Sequence, residues 1–303
     1  MQTAEDEVRA AMALIPGRGP VGTVERLGGL TNRVYRVEAG GETVVLRIPG
    51  EGTEAYIDRA VEAANARAAA AAGVSPEVLH VDPGRGLMLT RLVEGRTMTP
   101  ALFREPGAPA RAAAAFARLH RSGVRFEFRF DLFAMIEEYL RVLAPMRVTL
   151  PEGYHAAVAE AEAVRAALDA RPAALAPCHC DPLCENFLDT GERMWIVDWE
   201  YSGMNDPLWD LGDLAVEGEF GAAQEEEMLA AYFGRAPTAA ERGRVVAYKA
   251  MCDLLWTLWG LIQHGNGNPA DDFWAYATNR FERCRRLMAS EGFAGHLAAV
   301  RTG

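Results

Sequence analysis

The sequence is short of lysine: Lys249 is the only lysine among 303 residues, although lysine and arginine together number 31. Any contact that a lysine makes elsewhere must therefore fall to arginine here. Acidic residues outnumber basic ones, and the formal net charge of −11 argues against non-specific nucleic-acid binding, which needs a basic surface. An acidic surface instead raises the local concentration of cations, which suits a cationic small substrate.

Cysteine is also scarce, and the apolar tracts are short. Five cysteines, an odd number scattered along the chain, argue against a disulfide framework and favour a reducing compartment. The acidic start, Met1–Glu7, lacks the basic and then apolar pattern of a secretory signal. Tracts such as Ala66–Val74 fall short of the ~20 apolar residues that span a bilayer. We expect a cytoplasmic protein without a membrane partner.

The first part of the chain has the pattern of strands interrupted by one helix. Gly40-Gly41 between two apolar alternating runs indicates a tight hairpin. Gly73 stands where a helix C-cap belongs. The predicted strands are 21–27, 33–38, 43–48, 78–81 and 87–93, and the predicted helix covers 55–72.

After Gly95 the pattern becomes helical, apart from a β-like island at 176–198. The predicted helices are 108–122, 132–143, 154–170, 222–233, 238–263 and 270–290. This predicts an α+β fold of two lobes, a small antiparallel sheet with one helix at 1–94 and a larger, mainly helical lobe at 95–303.

The strongest chemical signal is the segment His179–Asn186, followed by the apolar run that ends at Asp198. Phosphoryl transfer needs a carboxylate near the attacking hydroxyl and oxygen ligands for Mg²⁺, with little covalent help from the protein. Asp181, Asn186 and Asp198 supply that set. Asp and Asn also cap ordinary loops, but the spacing of the whole pattern favours catalysis.

This segment resembles the catalytic core of the aminoglycoside phosphotransferase superfamily, whose fold is protein-kinase-like. The stretch Trp199–Leu214 is similar to the choline/ethanolamine kinase branch. The resemblance implies an ATP-dependent kinase in which Asp181 is the catalytic base or orients the hydroxyl, while Asn186 and Asp198 are Mg²⁺ ligands. It further implies that His179 braces the loop by hydrogen bonding.

The first lobe contains a second candidate site, for the nucleotide. Two adjacent glycines between strands allow the backbone to approach phosphates closely, although such a pair is often only a turn. Arg47 lies where protein kinases place their phosphate-pairing lysine, and the resemblance implies that Glu62 pairs with it. The predicted nucleotide-binding residues are Gly28, Gly29, Thr31, Asn32, Arg47 and Glu62.

The substrate side has an aromatic pattern. Trp256 and Trp259 share one helix face and could form walls of a cage for a quaternary ammonium, with Tyr276 as a third wall. Glu200 and Asp210 could supply negative charge near the same cation. A buried tryptophan pair is more often plain core, and the resemblance to choline kinases is what favours the cage.

Several alternatives remain open. Cys178, Cys180 and Cys184 near His179 could suggest zinc, but they lack the paired Cys-x-x-Cys spacing of structural sites. The acceptor could instead be ethanolamine, an aminoglycoside, thiamine or a sugar. The fold could also serve as a catalytically silent binding protein. The sequence leaves the oligomeric state and the choice between ATP and GTP undecided.

Overall fold

The computed structural model describes residues 3–28, 32–50 and 57–303. Of the predicted nucleotide-binding residues, Gly29 and Thr31 lie outside this part of the chain. The first lobe contains α1 (Ala4–Ala13), β1 (Val21–Gly28), β2 (Arg33–Ala39), β3 (Glu42–Ile48), α2 (Arg59–Ala71), β4 (Val78–Asp82) and β5 (Leu87–Arg91).

The strands of the first lobe form one antiparallel sheet in the order β1-β2-β3-β5-β4. Gly40 and Gly41 make the predicted hairpin between β2 and β3, with φ angles of 60° and 85° that favour glycine. In the register of this sheet, Arg47 on β3 lies opposite Val34 on β2 and Met88 on β5. The sheet thereby holds Arg47 in the middle of the lobe, where α2 can reach it.

Helix α2 begins at Arg59, later than the predicted start at residue 55, because Asp58 caps it. The Asp58 carboxylate accepts hydrogen bonds from the backbone N–H groups of Ala60 and Val61. At the other end Gly73 has a φ of 72°, as a residue that follows a helix often does. Residues 55 and 56 of the predicted helix lie outside the described ranges.

The second lobe is larger and mostly helical. A cluster of buried apolar side chains fills it, and it also takes in Ala66 and Ala69 of α2, so that α2 packs between the two lobes. Its elements are β6 (Arg96–Thr97), α3 (Ala108–His120), α4 (Leu132–Leu143), α5 (Tyr154–Ala170), β7 (Ala176–Cys178), β8 (Phe187–Asp189), β9 (Met194–Ile196), β10 (Gly203–Asn205), α6 (Leu208–Glu217), α7 (Ala222–Phe233), α8 (Ala239–Gly265), α9 (Phe273–Met288) and α10 (Phe293–Thr302).

The predicted fold class is confirmed, while three helices were missed. Helices α1, α6 and α10 each have ten residues, too few turns for a clear apolar period. A separate cluster of buried apolar residues joins α1 to the sheet of the first lobe. The division at residue 94 stays a prediction.

The expectation about apolar tracts needs a correction. Among the described residues, α8 is long and apolar enough to cross a membrane by length and composition alone. However, 83% of its most apolar window is buried inside the protein, as expected for the central helix of a folded core. Helix α8 contacts α4, α6, α9 and α10, so it organises the second lobe.

Candidate active site

The predicted catalytic loop, residues 179–186, lies between β7 and β8 and is fixed by hydrogen bonds to its own backbone carbonyl groups. The Asn186 amide Nδ2 donates to the carbonyl oxygen of Asp181 at 3.0 Å. The backbone N–H of Val197 donates to the carbonyl oxygen of Asn186 at 2.9 Å, which brings the end of β9 beside the loop. Asp181, Asn186 and Asp198 are therefore brought together, as their spacing predicted.

His179 holds this loop from within. Its Nε2 lies 2.9 Å from the carbonyl oxygen of Val197, and the backbone N–H of Asp181 donates to its Nδ1 at 3.3 Å. The ring is therefore the neutral tautomer that carries its proton on Nε2. Burial lowers the pKa of His179, which keeps it neutral. These contacts fit the prediction that His179 braces the loop by hydrogen bonding.

Asp198 has the properties of a metal ligand. Its Oδ1 is buried and has no hydrogen-bond partner among the described residues, and the nearest cation is Arg47 Nη1 at 3.5 Å. Burial, followed by the charge of Glu200, raises the pKa of Asp198 to about 7. A divalent cation would offset both effects, since it attracts the ionised carboxylate. Asp198 also has a φ of 67°, unusual for a residue other than glycine.

Arg47 and Glu62 form the expected ion pair between β3 and α2. Arg47 donates through both terminal nitrogens, Nη1 to Oε1 and Nη2 to Oε2, the latter at 2.8 Å. Burial opposes ionisation of Glu62, but Arg47 and then Arg59 outweigh it and lower its pKa. The pair is therefore ionised, and it holds a guanidinium against the Asp198 side of the cleft.

Glu200 lies beside Arg47 and Asn32, two of the predicted nucleotide-binding residues, so the prediction that it faces the substrate does not fit these contacts. Its carboxylate accepts from Asn32 Nδ2 at 2.8 Å and from Arg59. Arg47 Nη1 is 3.6 Å away. Glu200 therefore ties the loop after β1, the start of α2 and the segment after Asp198 to one another, because all three meet between the lobes.

The described part of the glycine segment leaves room for a ligand. Gly28 has a φ of 152°, and no atom of the described residues, its chain neighbours aside, lies within 4 Å of the position where a Cβ would stand. Asn32 is almost fully buried, and its Oδ1 has no hydrogen-bond partner among the described residues. Both features suit a loop that closes over phosphate groups.

Asp210 also differs from its predicted role. It is fully buried under the catalytic loop, where its carboxylate accepts from the backbone N–H groups of His179 and Cys180, each at 2.8 Å. His120 Nε2 lies 3.0 Å from the same carboxylate. Because its carboxylate bonds within the described ranges are with the loop and α3, Asp210 supports the predicted catalytic loop and makes no hydrogen bond to Trp256 or Trp259.

The aromatic residues do come together. Trp256 and Tyr201 meet edge to face with ring centroids 5.3 Å apart, and Trp259 and Tyr276 do so at 5.7 Å. The indole N–H of Trp259 donates to the Tyr201 hydroxyl at 2.9 Å, which joins the two pairs. The fourth ring, Tyr201, was not predicted, although it follows Glu200 directly in the sequence. Phe273 packs against Trp259 as well.

The carboxylates at this aromatic face are Asp213 and Glu217, which sequence reasoning missed. Asp213 is fully buried and accepts from the Cys252 thiol at 2.8 Å and from the Trp256 indole at 3.2 Å. Candidate ligand atoms of Asp213, Glu217 and Cys252 all lie within 4.8 Å of one another. The sequence did contain a pattern that points to them. Asp210, Asp213 and Glu217 recur at helical spacing on α6, and α6 packs against α8, which carries the tryptophans.

Asp181, the predicted catalytic residue, faces this acidic group. Burial raises the pKa of Asp181 well above its ordinary value, and the charges of Asp213 and Glu217 add to the increase. Arg280 partly compensates: it pairs with Glu217 at 2.5 Å and lies 4.5 Å from the centre of the Tyr276 ring. The acceptor side thus has an excess of carboxylates against one wall of aromatic rings, a combination that attracts an organic cation.

The loop cysteines contact separate groups. Cys178 Sγ donates to the carbonyl oxygen of Ala176, and Cys184 Sγ donates to that of Glu217, each at 3.4 Å. Burial raises the pKa of both thiols, which disfavours the thiolate that zinc requires.

Comparison with known proteins agrees with this arrangement. A model described as the phosphotransferase enzyme family matches residues 23–248, more than half of the chain. A solved choline/ethanolamine kinase family protein from Mesorhizobium loti is 63% identical, covers 99% of this chain and 100% of its own, and superposes with a TM-score of 0.91. The chain belongs to the choline/ethanolamine kinase family of phosphotransferases.

Two more distant relatives are LicA proteins, one of which is described as a choline kinase. The choline kinase LicA from Streptococcus pneumoniae is 26% identical over 94% of this chain and 98% of its own, with a TM-score of 0.80. Protein LicA from Haemophilus influenzae is 27% identical over 86% of this chain and 98% of its own length. The predicted family and enzyme class, a small-molecule kinase, are therefore confirmed.

Proposed function

We propose that this kinase transfers the γ-phosphoryl group of ATP to the hydroxyl of choline or a closely related amino alcohol. One observation supports this above the others: Asp181 faces Asp213 and Glu217, and Asp213 is bonded to Trp256 in the aromatic wall. A cationic alcohol seated there would present its hydroxyl to Asp181. The named choline kinase relative supports the same substrate.

The chemistry follows from these positions. Asp181 orients the hydroxyl and accepts its proton as the oxygen attacks the γ-phosphorus; the bond to the bridging oxygen of ADP breaks, and ADP leaves. Arg47, fixed by Glu62, binds phosphate oxygens of the nucleotide. Asn32 and Gly28 belong to the loop that encloses them, as do Gly29 and Thr31 in our proposal.

We further propose that Asn186 and Asp198 hold Mg²⁺. The Oδ1 of Asp198 is buried without a hydrogen-bond partner among the described residues, and this atom and the raised pKa of Asp198 fit such a ligand. When bound, the ion supplies positive charge that offsets the phosphates. Glu200 lies close enough to Asp198 to influence its charge, and it supports the site by holding Asn32 and Arg59 in place.

The cation of the acceptor would lie against Trp256, Trp259 and Tyr276, with Tyr201 beside them. Each ring could contribute up to ~2 kcal/mol to binding of a desolvated ammonium. In this proposal the negative charges near the cation come from Asp213 and Glu217, and not from Glu200 and Asp210 as the sequence had suggested. We place the reaction in the cytoplasm, where ATP is available, and we propose no nucleic-acid or membrane partner.

The test is a coupled assay of ADP release with choline, ethanolamine, an aminoglycoside, thiamine and a sugar as separate acceptors. We expect the highest kcat/KM for choline or ethanolamine. A higher value for an aminoglycoside, thiamine or a sugar would replace the proposed substrate, while the kinase assignment would stand. EDTA should abolish turnover with every acceptor, and activity that survives full chelation would exclude the metal role of Asp198.

A further inference from the structure

A chain of ion pairs joins α6, α8 and α9. Arg280 of α9 donates from Nη2 to Glu217 of α6 at 2.5 Å and from Nη1 to Asp253 of α8 at 3.2 Å. Arg283, which follows Arg280 on the same helix, donates to both oxygens of Asp253, through Nε at 2.8 Å and through Nη2. Arg280 is only 4% exposed, so its partners hold this cation in place and water does not.

The charge of Arg280 matters most at one of its two partners. Asp253 is almost fully buried, but Arg283 binds both of its carboxylate oxygens, so Asp253 keeps a cation if Arg280 is lost. Glu217 has no such reserve, because Arg280 is its only ion-pair partner among the residues that the structure describes. Arg280 is therefore the residue on which an ionised Glu217 depends.

Arg280 also contacts the aromatic side of the proposed acceptor site. Its guanidinium carbon lies 4.5 Å from the centre of the Tyr276 ring, and Tyr276 packs edge to face against Trp259. Its Nη1 lies 3.9 Å from the Sγ of Cys252, whose thiol donates to Asp213. One buried side chain thus connects the carboxylates and the rings that we place at the acceptor.

Glu217 without Arg280 would attract a cation poorly. Its side chain is only 12% exposed, and its ligand atom lies within 4.8 Å of that of Asp213. Burial and a neighbouring carboxylate both disfavour the charged form of a carboxyl group. Glu217 would then bind a proton while the site is empty, and a cation would have to displace that proton in order to bind. Loss of Arg280 should therefore weaken the attraction for a cation, although it removes a positive charge.

We propose that Arg280 is a positioning residue for the acceptor, an inference that rests on the proposed function. It keeps Glu217 ionised and in place beside Asp213, and it thereby determines how strongly the site prefers a cationic alcohol to an uncharged alcohol of the same shape. Arg280 acts through Glu217 and does not itself touch the acceptor. Its loss should therefore affect the binding of charge and leave the fit of the apolar part to the rings.

The experiment compares choline with 3,3-dimethyl-1-butanol, the uncharged alcohol in which carbon replaces the nitrogen. Kd values for both are measured with the enzyme saturated by a non-hydrolysable ATP analogue and Mg²⁺. Arg280→Met removes the charge and retains an apolar contact with the Tyr276 ring. It should raise the Kd of choline about tenfold or more, on the scale of one charged hydrogen bond, and leave the Kd of the uncharged alcohol and the KM for ATP nearly unchanged.

Arg283→Met is the matched control, because Arg283 also binds Asp253 but makes no hydrogen bond to Glu217 in the described part of the chain. It should lower the stability and keep the preference for choline. Arg280→Lys retains the charge without the forked geometry, so it should show a smaller loss, again for choline alone. The lysine variant decides the proposal if Arg280→Met does not fold.

Three results would overturn the proposal: equal weakening of both alcohols by the Arg280 variants, as expected for a merely structural residue; unchanged choline binding; or the same loss of preference in Arg283→Met. Failure of the proposed function would look different, because the wild type would then show no ADP release with choline in the coupled assay.

Discussion

The indole N–H of Trp256 donates to Oδ2 of Asp213 at 3.2 Å, so that one aromatic wall of the proposed acceptor site is bonded to a buried carboxylate. The other oxygen of Asp213 accepts from Cys252, and no cation pairs with Asp213 among the described residues. A fully buried carboxylate without a cation is unfavourable in an empty pocket. A substrate that carries its own positive charge would supply the missing partner.

The tryptophan pair gives the first prediction. Trp256→Leu and Trp259→Leu keep an apolar side chain but leave a cavity, so we expect folded variants of lower stability. Each should raise the KM for choline by up to roughly 30-fold, the equivalent of ~2 kcal/mol of lost cation–π attraction, while the KM for ATP stays the same. Steady-state kinetics with either substrate varied measure this.

Trp274→Leu is the control, because Trp274 is a half-exposed tryptophan on α9. It should leave both KM values unchanged. If the pocket variants lower only the melting temperature and bind choline normally, the two tryptophans are plain core.

The second prediction is that Glu200 and Glu217 affect the binding of different substrates. Glu200→Gln weakens the contacts with Asn32 and Arg59, so it should raise the KM for ATP and leave the KM for choline nearly unchanged. Glu217→Gln should do the reverse, because Glu217 lies beside Asp213 at the acceptor. The loss in each case should be about tenfold, the usual effect of one charged hydrogen bond. The opposite pattern would restore Glu200 to the substrate side.

The third prediction concerns Asp210. Asp210→Asn replaces one acceptor oxygen with an N–H₂ group that faces backbone N–H donors of the catalytic loop. We expect a loss of about 2–4 kcal/mol in the free energy of unfolding, since a buried network is broken. Urea denaturation measures it. Asp169→Asn, at an exposed carboxylate, is the control, and equal stability of the two variants would show that Asp210 does not support the loop.

The fourth prediction is a pH dependence at Asp213. Burial and then Glu217 raise the pKa of Asp213 well above its value in the unfolded chain. Above the unfolded pKa the native state retains this proton longer than the unfolded state does, so the protein without substrate loses stability as pH rises towards the folded pKa. A cation favours the ionised carboxylate, so choline affinity should increase over the same range.

Calorimetric titration with choline at pH 5.5 and pH 8 checks this effect and should detect proton release on binding. Asp213→Asn should bind choline more weakly and with little pH dependence. Wild-type affinity that is unchanged between the two pH values would show that Asp213 does not change its protonation state in this range, which would contradict the prediction.

The sequence predicted the parts of the candidate site whose residues lie close together along the chain. The loop from His179 to Asn186 and the strand that ends at Asp198 meet through backbone hydrogen bonds, so their spacing alone was enough to group them. Arg47 and Glu62 needed the family resemblance, because the pairing of β3 with α2 depends on the sheet.

The acceptor carboxylates could not be assigned in the same way. Asp210, Asp213 and Glu217 share one short helix that was not predicted, and which of them meets the tryptophans depends on how α6 packs against α8. Glu200 and Tyr201 are adjacent but point to opposite sides, Glu200 to Asn32 and Tyr201 to Trp256. Such choices follow from tertiary packing, which no local pattern contains.

The central claim is that Asp181 directs the hydroxyl of a cationic alcohol at ATP, and ³¹P NMR of the product tests it most directly. Incubated with choline and Mg·ATP, the wild type should produce one growing phosphomonoester signal together with ADP. Asp181→Asn should bind nucleotide normally and form this product roughly 10²–10⁴-fold more slowly, the scale of a lost acid–base group. The absence of a phosphomonoester from both choline and ethanolamine, or equal rates for the two proteins, would contradict the account.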